Sequence, residues 1–265
     1  MDTPRLVASD IDGTLLDPMD RVTPRTLAAL SRLQAAGAVF ALVSGRPPRW
    51  IPPVAQAADL TGLAVCANGA IIYDIAAEKI VSHHSLTPLL LGDTVHALEK
   101  ALPGIHVATE RATTEGHPFA TEPDFRNPWG DEPSNVQPRA EVLGHPATKL
   151  LVRHQGMTSA EMALAATEVL GTAIDVTYST NRGLIEISAP GVTKASGLNE
   201  VAALSGVPTT ATIAFGDMPN DIEMLRWATH GVAMGNAQAE VKEVADEVTA
   251  SNAEDGVAVV LERWF

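Results

Sequence analysis

Four short apolar runs, each ending in polar or small residues, constrain the fold of this chain more than any other feature. They are the apolar parts of RLVASD, AVFALVSG, LAVCANG and TATIAFGD, and helical patterns separate the first three. A strand without a polar face must be covered on both sides, which is typical of a parallel sheet between layers of helices. The sequence therefore predicts an α/β fold with a Rossmann-like parallel-sheet core domain.

The alternating pattern is interrupted in the middle of the chain. Between residues 82 and 188, strand and helix patterns follow one another in a different order, and after residues 189–191 the first pattern returns. We therefore expect a core domain of residues 1–81 and 189–265 with an α/β domain of residues 82–188 inserted into it.

Within the predicted insert, residues 111–139 contain five prolines together with Phe119, Phe125 and Trp129. This composition predicts a long loop. Two interpretations stay open: an irregular solvated excursion, or a loop that offers aromatic contacts to a substrate.

Charge and cysteine content argue against several functions. The formal net charge of −14 disfavours broad binding to nucleic acid or to an anionic membrane, since both need a basic surface. The single cysteine, Cys66, excludes an internal disulfide, and its apolar neighbours favour a buried structural thiol. Because the N-terminal segment is polar, we expect no secretory signal and a cytoplasmic protein. We also expect either a monomer or a weak homodimer.

Polar residues follow the apolar runs at the carboxyl ends of the predicted strands, where open parallel sheets bind ligands. They are Asp10 and Asp12 after the first run, Ser44, Gly45 and Arg46 after the second, Asn68 after the third, and Asp217, Asn220 and Asp221 after the fourth. Lys194 opens the helix before the fourth run, where a cation opposes the helix dipole and needs another partner, such as a phosphate. Together these residues predict one site at one edge of the sheet.

The aspartates of this set predict a metal ion. Asp10 and Asp12 stand two residues apart, so on a strand their side chains would share a face, and Asp217 and Asp221 would meet them there. Carboxylates held that close repel one another unless a cation or a shared proton intervenes. Mg²⁺, which prefers carboxylates, waters and substrate phosphate, fits this set of ligands.

Simpler explanations compete with a site. A calcium loop of EF-hand type is excluded, because the glycine of DIDGT is fourth rather than sixth and Arg21 stands where that loop needs a glutamate. An Asp–Gly turn at DIDGT, an ordinary turn at VSGRP, a solvated Lys194 and a helix cap at Asp221 remain the structural alternatives.

With DIDGT, VSGR, Lys194 and GDMPND in this order, the sequence resembles the haloacid dehalogenase superfamily. Within it, the chain is similar to the Cof-like sugar-phosphate phosphatases, which carry an α/β cap inserted after the third core strand. The resemblance covers the whole chain. It implies a Mg²⁺-dependent phosphomonoester hydrolase acting on a small phosphorylated metabolite, with a sugar phosphate as the expected class. It also implies that the insert sets substrate specificity.

The same resemblance implies a role for each site residue. Asp10 would be the nucleophile that forms an aspartyl-phosphate, and Asp12 the general acid and base, whose backbone carbonyl also binds Mg²⁺. Asp217 would bind the metal, and Asp221 would support it directly or through water. The remaining residues would contact the substrate: Ser44, Gly45, Lys194 and Asn220 its phosphate, and Arg46 and Asn68 other parts of it.

Two other functions remain as alternatives. A phosphomutase of the same superfamily would share both N-terminal aspartates and a similar cap. A receiver-type phospho-acceptor signalling protein would also combine acids, a hydroxyl, a lysine and Mg²⁺ on a parallel sheet, but such domains are shorter and have no cap.

Overall fold

The computed structural model describes residues 2–112, 117–127 and 134–265. The chain forms two compact units, the first of Met1–Ser82 with Thr193–Phe265 and the second of His83–Val192. The second unit ends at Val192 rather than at the predicted residue 188. Two hydrogen bonds explain this extension: Gly191 N donates to the Asp175 carboxylate, and Val192 N donates to Ala189 O.

Fourteen strands form in the described part of the chain. They are β1 Leu6–Asp10, β2 Val39–Val43, β3 Leu63–Cys66, β4 Ile71–Asp74, β5 Lys79–His83, β6 His106–Glu110, β7 Phe119–Thr121, β8 Asn135–Val136, β9 Lys149–Arg153, β10 Asp175–Thr177, β11 Leu184–Ser188, β12 Thr212–Gly216, β13 His230–Ala233 and β14 Glu247–Val248.

Nine α-helices form in the same described residues. They are α1 Pro24–Ala35, α2 Ile51–Ala58, α3 Pro88–Ala101, α4 Arg139–Leu143, α5 Ser159–Leu170, α6 Lys194–Ser205, α7 Ile222–Trp227, α8 Ala239–Val244 and α9 Gly256–Leu261. Among the residues described, no helix combines the length and the apolar character needed to cross a membrane.

The first unit is built on an eight-stranded sheet in the order β14-β13-β12-β1-β2-β3-β4-β5. Neighbouring strands from β14 to β3 are parallel, and β4 runs antiparallel to β3. Strands β1 and β12 are buried along their whole length, as their apolar sequences require. The predicted α/β fold with a parallel sheet is confirmed.

The order of these strands indicates where a ligand is expected to bind. From β1 the chain continues to β2 and β3 on one side, and it later returns to β12 on the other side of β1. The carboxyl ends of β1 and β12 therefore flank the point at which the strand order reverses. Open α/β sheets bind their ligands at such a switch point.

The second unit contains a six-stranded sheet in the order β10-β11-β9-β6-β7-β8. Its pairs are antiparallel except for β7 with β8. One face contributes Val107, Leu150, Val152, Ile185 and Ile187 to a core shared with α3, α4 and α5. The opposite face carries a smaller apolar cluster: Ala108, Phe119, Phe125, Leu151 and Leu184.

The structure corrects the interpretation of residues 111–139. The described part of this stretch contains β7 and β8, so it is not one long loop. Phe119 is 1 % and Phe125 7 % exposed, and their rings pack edge to face with centroids 6.2 Å apart. Both rings therefore belong to the core of the second unit, where large apolar side chains are usually found. Trp129 lies outside the described residues.

Candidate active site

Asp10 and Asp12 do not share a face of one strand, contrary to the prediction. Strand β1 ends at Asp10, and a helical turn over Ile11–Leu15 follows, within which Asp12 (φ −81°, ψ 120°) and Gly13 (φ 77°) depart from helical geometry. Asp10 is 6 % exposed, whereas the Asp12 side chain is 53 % exposed. The alternation of strand side chains stops where the strand stops, so the two carboxylates separate.

The Asp12 carboxylate pairs with Arg46. Arg46 donates from Nε to Asp12 Oδ2 at 2.8 Å and from Nη2 to Oδ1 at 2.5 Å. This two-point pair joins the turn after β1 to the turn after β2, and it holds the orientation of the Asp12 side chain.

Three other carboxylates meet at the switch point of the sheet. Oxygen atoms of Asp10, Asp217 and Asp221 lie within 4.8 Å of one another. Lys194 Nζ donates to Asp10 Oδ1 and to Asp221 Oδ1, both at 2.6 Å, and all four side chains are buried. Four carboxylates are predicted to meet here, but among the described residues three do, because Asp12 is bound to Arg46.

The N-terminus of α6 places Lys194 in this cluster. Thr193 caps the helix: its Oγ1 accepts from Ser196 N at 3.2 Å, and Ser196 Oγ accepts from Thr193 N at 2.9 Å. The turn after β3 packs tightly against this cap, since a Cβ on Gly69 would lie 2.0 Å from Thr193 O. Only glycine allows so close an approach, and its φ of +103° is also one that glycine adopts readily.

Asp221 anchors the loop that carries Asp217. Its Oδ2 accepts from the backbone N of Asp217 and of Met218, each at 2.9 Å, while Oδ1 accepts from Lys194. The helix-cap explanation for Asp221 therefore holds together with its place in the cluster.

Thr14 and Asn236 contact Asp217, and the sequence analysis missed both. Thr14 Oγ1 donates to Asp217 Oδ1 at 3.0 Å. Asn236 Nδ2 lies 3.5 Å from Asp217 Oδ2 and donates to Gly13 O at 2.8 Å. Thr14 belongs to the DIDGT motif, and Asn236 follows β13, so the rule that polar residues follow strands would have identified Asn236.

The turn after β2 supplies Ser44, Gly45 and Arg46 in sequence. Ser44 is buried, and its Oγ accepts from Arg46 N at 3.1 Å, which leaves the hydroxyl hydrogen as a donor. The turn after β3 is bonded to this one, because Ala67 N donates to Arg46 O and Asn68 N donates to Ser44 O, each at 3.0 Å.

The turn after β3 has an unusual backbone. Ala67, Asn68 and Gly69 all have positive φ, at 50°, 57° and 103°. Such conformations are costly for alanine and often occur at functional sites. Asn68 Oδ1 accepts from Asn220 Nδ2 at 3.1 Å, and among the described residues the buried Asn220 Oδ1 has no hydrogen-bond partner.

The charges of the cluster are unbalanced. Burial raises the pKa of Asp10 well above its usual range, and the charges of Asp221, Asp217 and Asp12 add to this against the opposing effect of Lys194. Burial and the charge of Asp221 raise the pKa of Asp217 to about 7. Burial lowers the pKa of Lys194, but the charges of Asp10 and Asp221 outweigh that effect and raise it overall.

One ammonium thus faces three buried carboxylates. A divalent cation would offset the two excess negative charges, and an all-oxygen set of ligands suits Mg²⁺. Asp10, Asp217 and Asp221 offer the atoms that could hold it. The residues present therefore fit the predicted metal.

Comparisons with known proteins show the family of this chain. The profile of haloacid dehalogenase-like hydrolases matches residues 7–261. The chain is 30 % identical over 265 residues to a 5-amino-6-(5-phospho-D-ribitylamino)uracil phosphatase of Bacillus subtilis, covering 99 % of this chain and 98 % of the relative. It is 28 % identical to a pyridoxal phosphate phosphatase of Escherichia coli, covering 97 % of each chain.

A solved structure shows the same likeness. A haloacid dehalogenase-like hydrolase from Bacteroides thetaiotaomicron superposes with a TM-score of 0.77 at 26 % identity, over 99 % of this chain and all of that one. The chain belongs to the haloacid dehalogenase-like hydrolases. The predictions of this family and of an enzyme of its phosphatase type are confirmed.

Proposed function

We propose that this protein is a Mg²⁺-dependent phosphomonoester hydrolase that acts on a small phosphorylated metabolite, with a sugar phosphate as the expected class. The observation that carries the proposal is the buried Asp10, paired with Lys194 at 2.6 Å beside Asp217 and Asp221. The relatives support the substrate class, because their names specify phosphate esters of different small molecules.

Asp10 is the proposed nucleophile. Lys194 binds its Oδ1, which leaves Oδ2 to attack phosphorus and form an aspartyl-phosphate as the leaving alcohol departs. The Lys194 ammonium and the Ser44 hydroxyl stabilise charge on the phosphoryl oxygens. Mg²⁺, held by Asp10 and Asp217 with support from Asp221 and the Asp12 carbonyl, would supply positive charge that offsets the repulsion between carboxylate and phosphate.

Asp12 is the proposed general acid and base. It gives a proton to the oxygen of the leaving alcohol, and it then takes a proton from the water that attacks the phosphorus of the aspartyl-phosphate. This second step releases phosphate and restores the Asp10 carboxylate. Because Arg46 binds both oxygens of Asp12, the guanidinium must release at least one of them before Asp12 can transfer a proton.

The test measures phosphate release from p-nitrophenyl phosphate and from a panel of phosphorylated metabolites, with Mg²⁺ present. Asp10→Asn should lower kcat by about 10⁴-fold or more, since a nucleophile is lost. The matched control is Asp59→Asn, an exposed aspartate whose φ of 53° asparagine tolerates well.

Three results would contradict parts of this proposal. A folded Asp10→Asn variant with normal activity would rule out Asp10 as the nucleophile. A wild-type protein that releases no phosphate from any compound of the panel would rule out the hydrolase. Conversion of a hexose phosphate to its isomer with little free phosphate would instead identify the phosphomutase.

A further inference from the structure

Asn236 uses every hydrogen-bonding group of its amide on segments that surround the acidic cluster. Its Nδ2 donates to Gly13 O at 2.8 Å and lies 3.5 Å from Asp217 Oδ2. Its Oδ1 accepts from Asn252 N at 2.9 Å. Three segments far apart in sequence, after β1, after β12 and after β14, thus meet at one side chain.

The carbonyl oxygen of Gly13, which accepts from Asn236, lies in the middle of the turn after β1. The carbonyl of Asp12 precedes Gly13, and Thr14, which donates to Asp217 Oδ1 at 3.0 Å, follows it. Gly13 itself has φ of +77°, and a Cβ there would lie 2.4 Å from Asp217 Oδ2. Fixing the Gly13 carbonyl therefore constrains both the Asp12 carbonyl and the Thr14 hydroxyl relative to Asp217.

Asn236 is itself held firmly. The preceding Gly235 packs against the backbone after β14, where a Cβ would lie 2.7 Å from Ser251 N, and its carbonyl accepts from Lys242 Nζ at 2.6 Å. Asn252 Nδ2 donates to Leu16 O at 2.8 Å, which joins the same segment to the end of the turn after β1. The amide is therefore supported from both sides.

A purely structural role explains these contacts poorly. Asn236 is exposed, and hydrogen bonds of an exposed amide add little to the free energy of unfolding, because water replaces them when they break. A neutral donor beside Asp217 has a clearer use. It approaches the carboxylate without adding negative charge to a cluster that already has an excess of it.

We propose that Asn236 is a positioning residue, which holds the turn after β1 and the Asp217 carboxylate in the arrangement that binds Mg²⁺. The inference deepens the proposed function and rests on it for the role of the metal. Residues that orient metal ligands commonly affect metal affinity by about 10-fold to 100-fold when they are replaced. Because Asn236 is exposed and one of its contacts is long, we expect the lower end of that range.

The experiment compares the full-length wild-type protein with Asn236→Ala and with the matched control Asn199→Ala. Asn199 is also an exposed asparagine of the first unit, but its side chain accepts from Trp227 Nε1 and contacts no residue of the cluster in the hydrogen bonds described. Mg²⁺ alone is titrated into each protein by calorimetry, and the thermal midpoint is measured without metal. The Mg²⁺ dependence of phosphatase activity is measured separately.

Asn236→Ala should raise the Kd for Mg²⁺ by about 10-fold, with a parallel rise in the half-activating concentration. Its metal-free thermal midpoint should remain close to that of the wild type. Asn199→Ala should match the wild type in every measurement.

An Asn236→Ala variant that binds Mg²⁺ as tightly as the wild type would overturn the inference. A loss of kcat at every Mg²⁺ concentration, with Kd unchanged, would overturn it as well. If the wild-type protein shows no phosphatase activity but Asn236→Ala still weakens Mg²⁺ binding, the positioning role stands and the proposed function fails.

Discussion

Buried carboxylates are compensated differently in the acidic cluster of the first unit and at Glu122 of the second, where Arg139 also donates to the exposed Glu99. There, Glu122 accepts from Arg139 Nε at 2.6 Å and Nη2 at 3.0 Å, and from Val107 N at 2.6 Å. In the first unit, Asp10, Asp217 and Asp221 share the single ammonium of Lys194. The cluster of the first unit therefore keeps an excess of negative charge in a buried place.

This difference separates a structural ion pair from a site. A buried carboxylate that is paired with a cation and hydrogen-bonded does not need a metal ion to compensate its charge. A cluster with excess charge remains stable only if it binds a cation or takes up protons, and groups with such perturbed pKa values concentrate at functional sites. Mg²⁺ should therefore stabilise the first cluster and have no effect on the second.

The largest expected effect comes from Lys194→Met, which removes the ammonium that pairs with Asp10 and Asp221. Breaking a buried pair and leaving carboxylates uncompensated should cost about 3–5 kcal/mol of the free energy of unfolding, and activity should fall about 10³-fold. Urea unfolding with and without Mg²⁺ measures the first effect, and Mg²⁺ should recover part of the loss. An exposed lysine, Lys79→Met, serves as the control. An unchanged free energy of unfolding for Lys194→Met would show that the cluster of the first unit does not depend on this cation.

Glu122→Gln should have a smaller effect in the second unit. The variant keeps the shape of the side chain but loses charge-assisted hydrogen bonds to Arg139, which should lower the free energy of unfolding by about 2 kcal/mol. Urea unfolding should give the same loss with and without Mg²⁺, since no metal belongs to this pair. If Mg²⁺ restored the free energy of unfolding of Glu122→Gln, both clusters would respond to the metal and the proposed difference between them would be wrong.

Thr14→Val should weaken Mg²⁺ binding without unfolding the protein. Valine preserves the shape of the side chain but removes the hydroxyl that donates to Asp217 Oδ1. Calorimetry should show a rise in Kd of about 10-fold, while Thr14→Ser, which keeps the hydroxyl, should stay near the wild type. Equal Kd values for the valine and serine variants would remove Thr14 from the metal site.

The smallest expected effect is a pH dependence of the metal-free protein. The pKa of Asp217 is raised to about 7 in the folded state, whereas an unfolded aspartate titrates near 4. The folded protein therefore binds more protons between these values, so its stability is lost as pH rises through 7 and regained as pH falls. Unfolding in the presence of a chelator should show a gain of about 1 kcal/mol from pH 7 to pH 6. The same gain at saturating Mg²⁺ would mean that the metal does not compete with this proton.

Sequence patterns located the site through the ends of buried strands. Asp10 and Asp217 each follow an apolar run, and parallel strands bring their carboxyl ends to one edge, so their meeting could be predicted without a structure. Lys194 could be predicted because a cation at a helix start needs a partner, and the structure gives it Asp10 and Asp221 as partners.

The errors have local physical causes. Strand alternation predicts that Asp12 lies beside Asp10, but β1 ends at Asp10 and a turn begins there. The pairing of Asp12 with Arg46 joins two turns, and side-chain direction within turns does not follow a period. Prolines around Phe119 favour a loop, yet Phe119 lies in β7, and its ring is buried together with that of Phe125 against the sheet.

Calorimetric titration with Mg²⁺ of the wild type, Asp217→Asn and Glu122→Gln tests the central claim most directly. The claim is that the three-carboxylate cluster of the first unit, and not the Glu122–Arg139 pair of the second, binds the metal. We expect one Mg²⁺ per chain in the wild type and in Glu122→Gln, and a loss of that binding in Asp217→Asn. Wild-type affinity in a folded Asp217→Asn variant, or loss of binding in Glu122→Gln, would contradict the account.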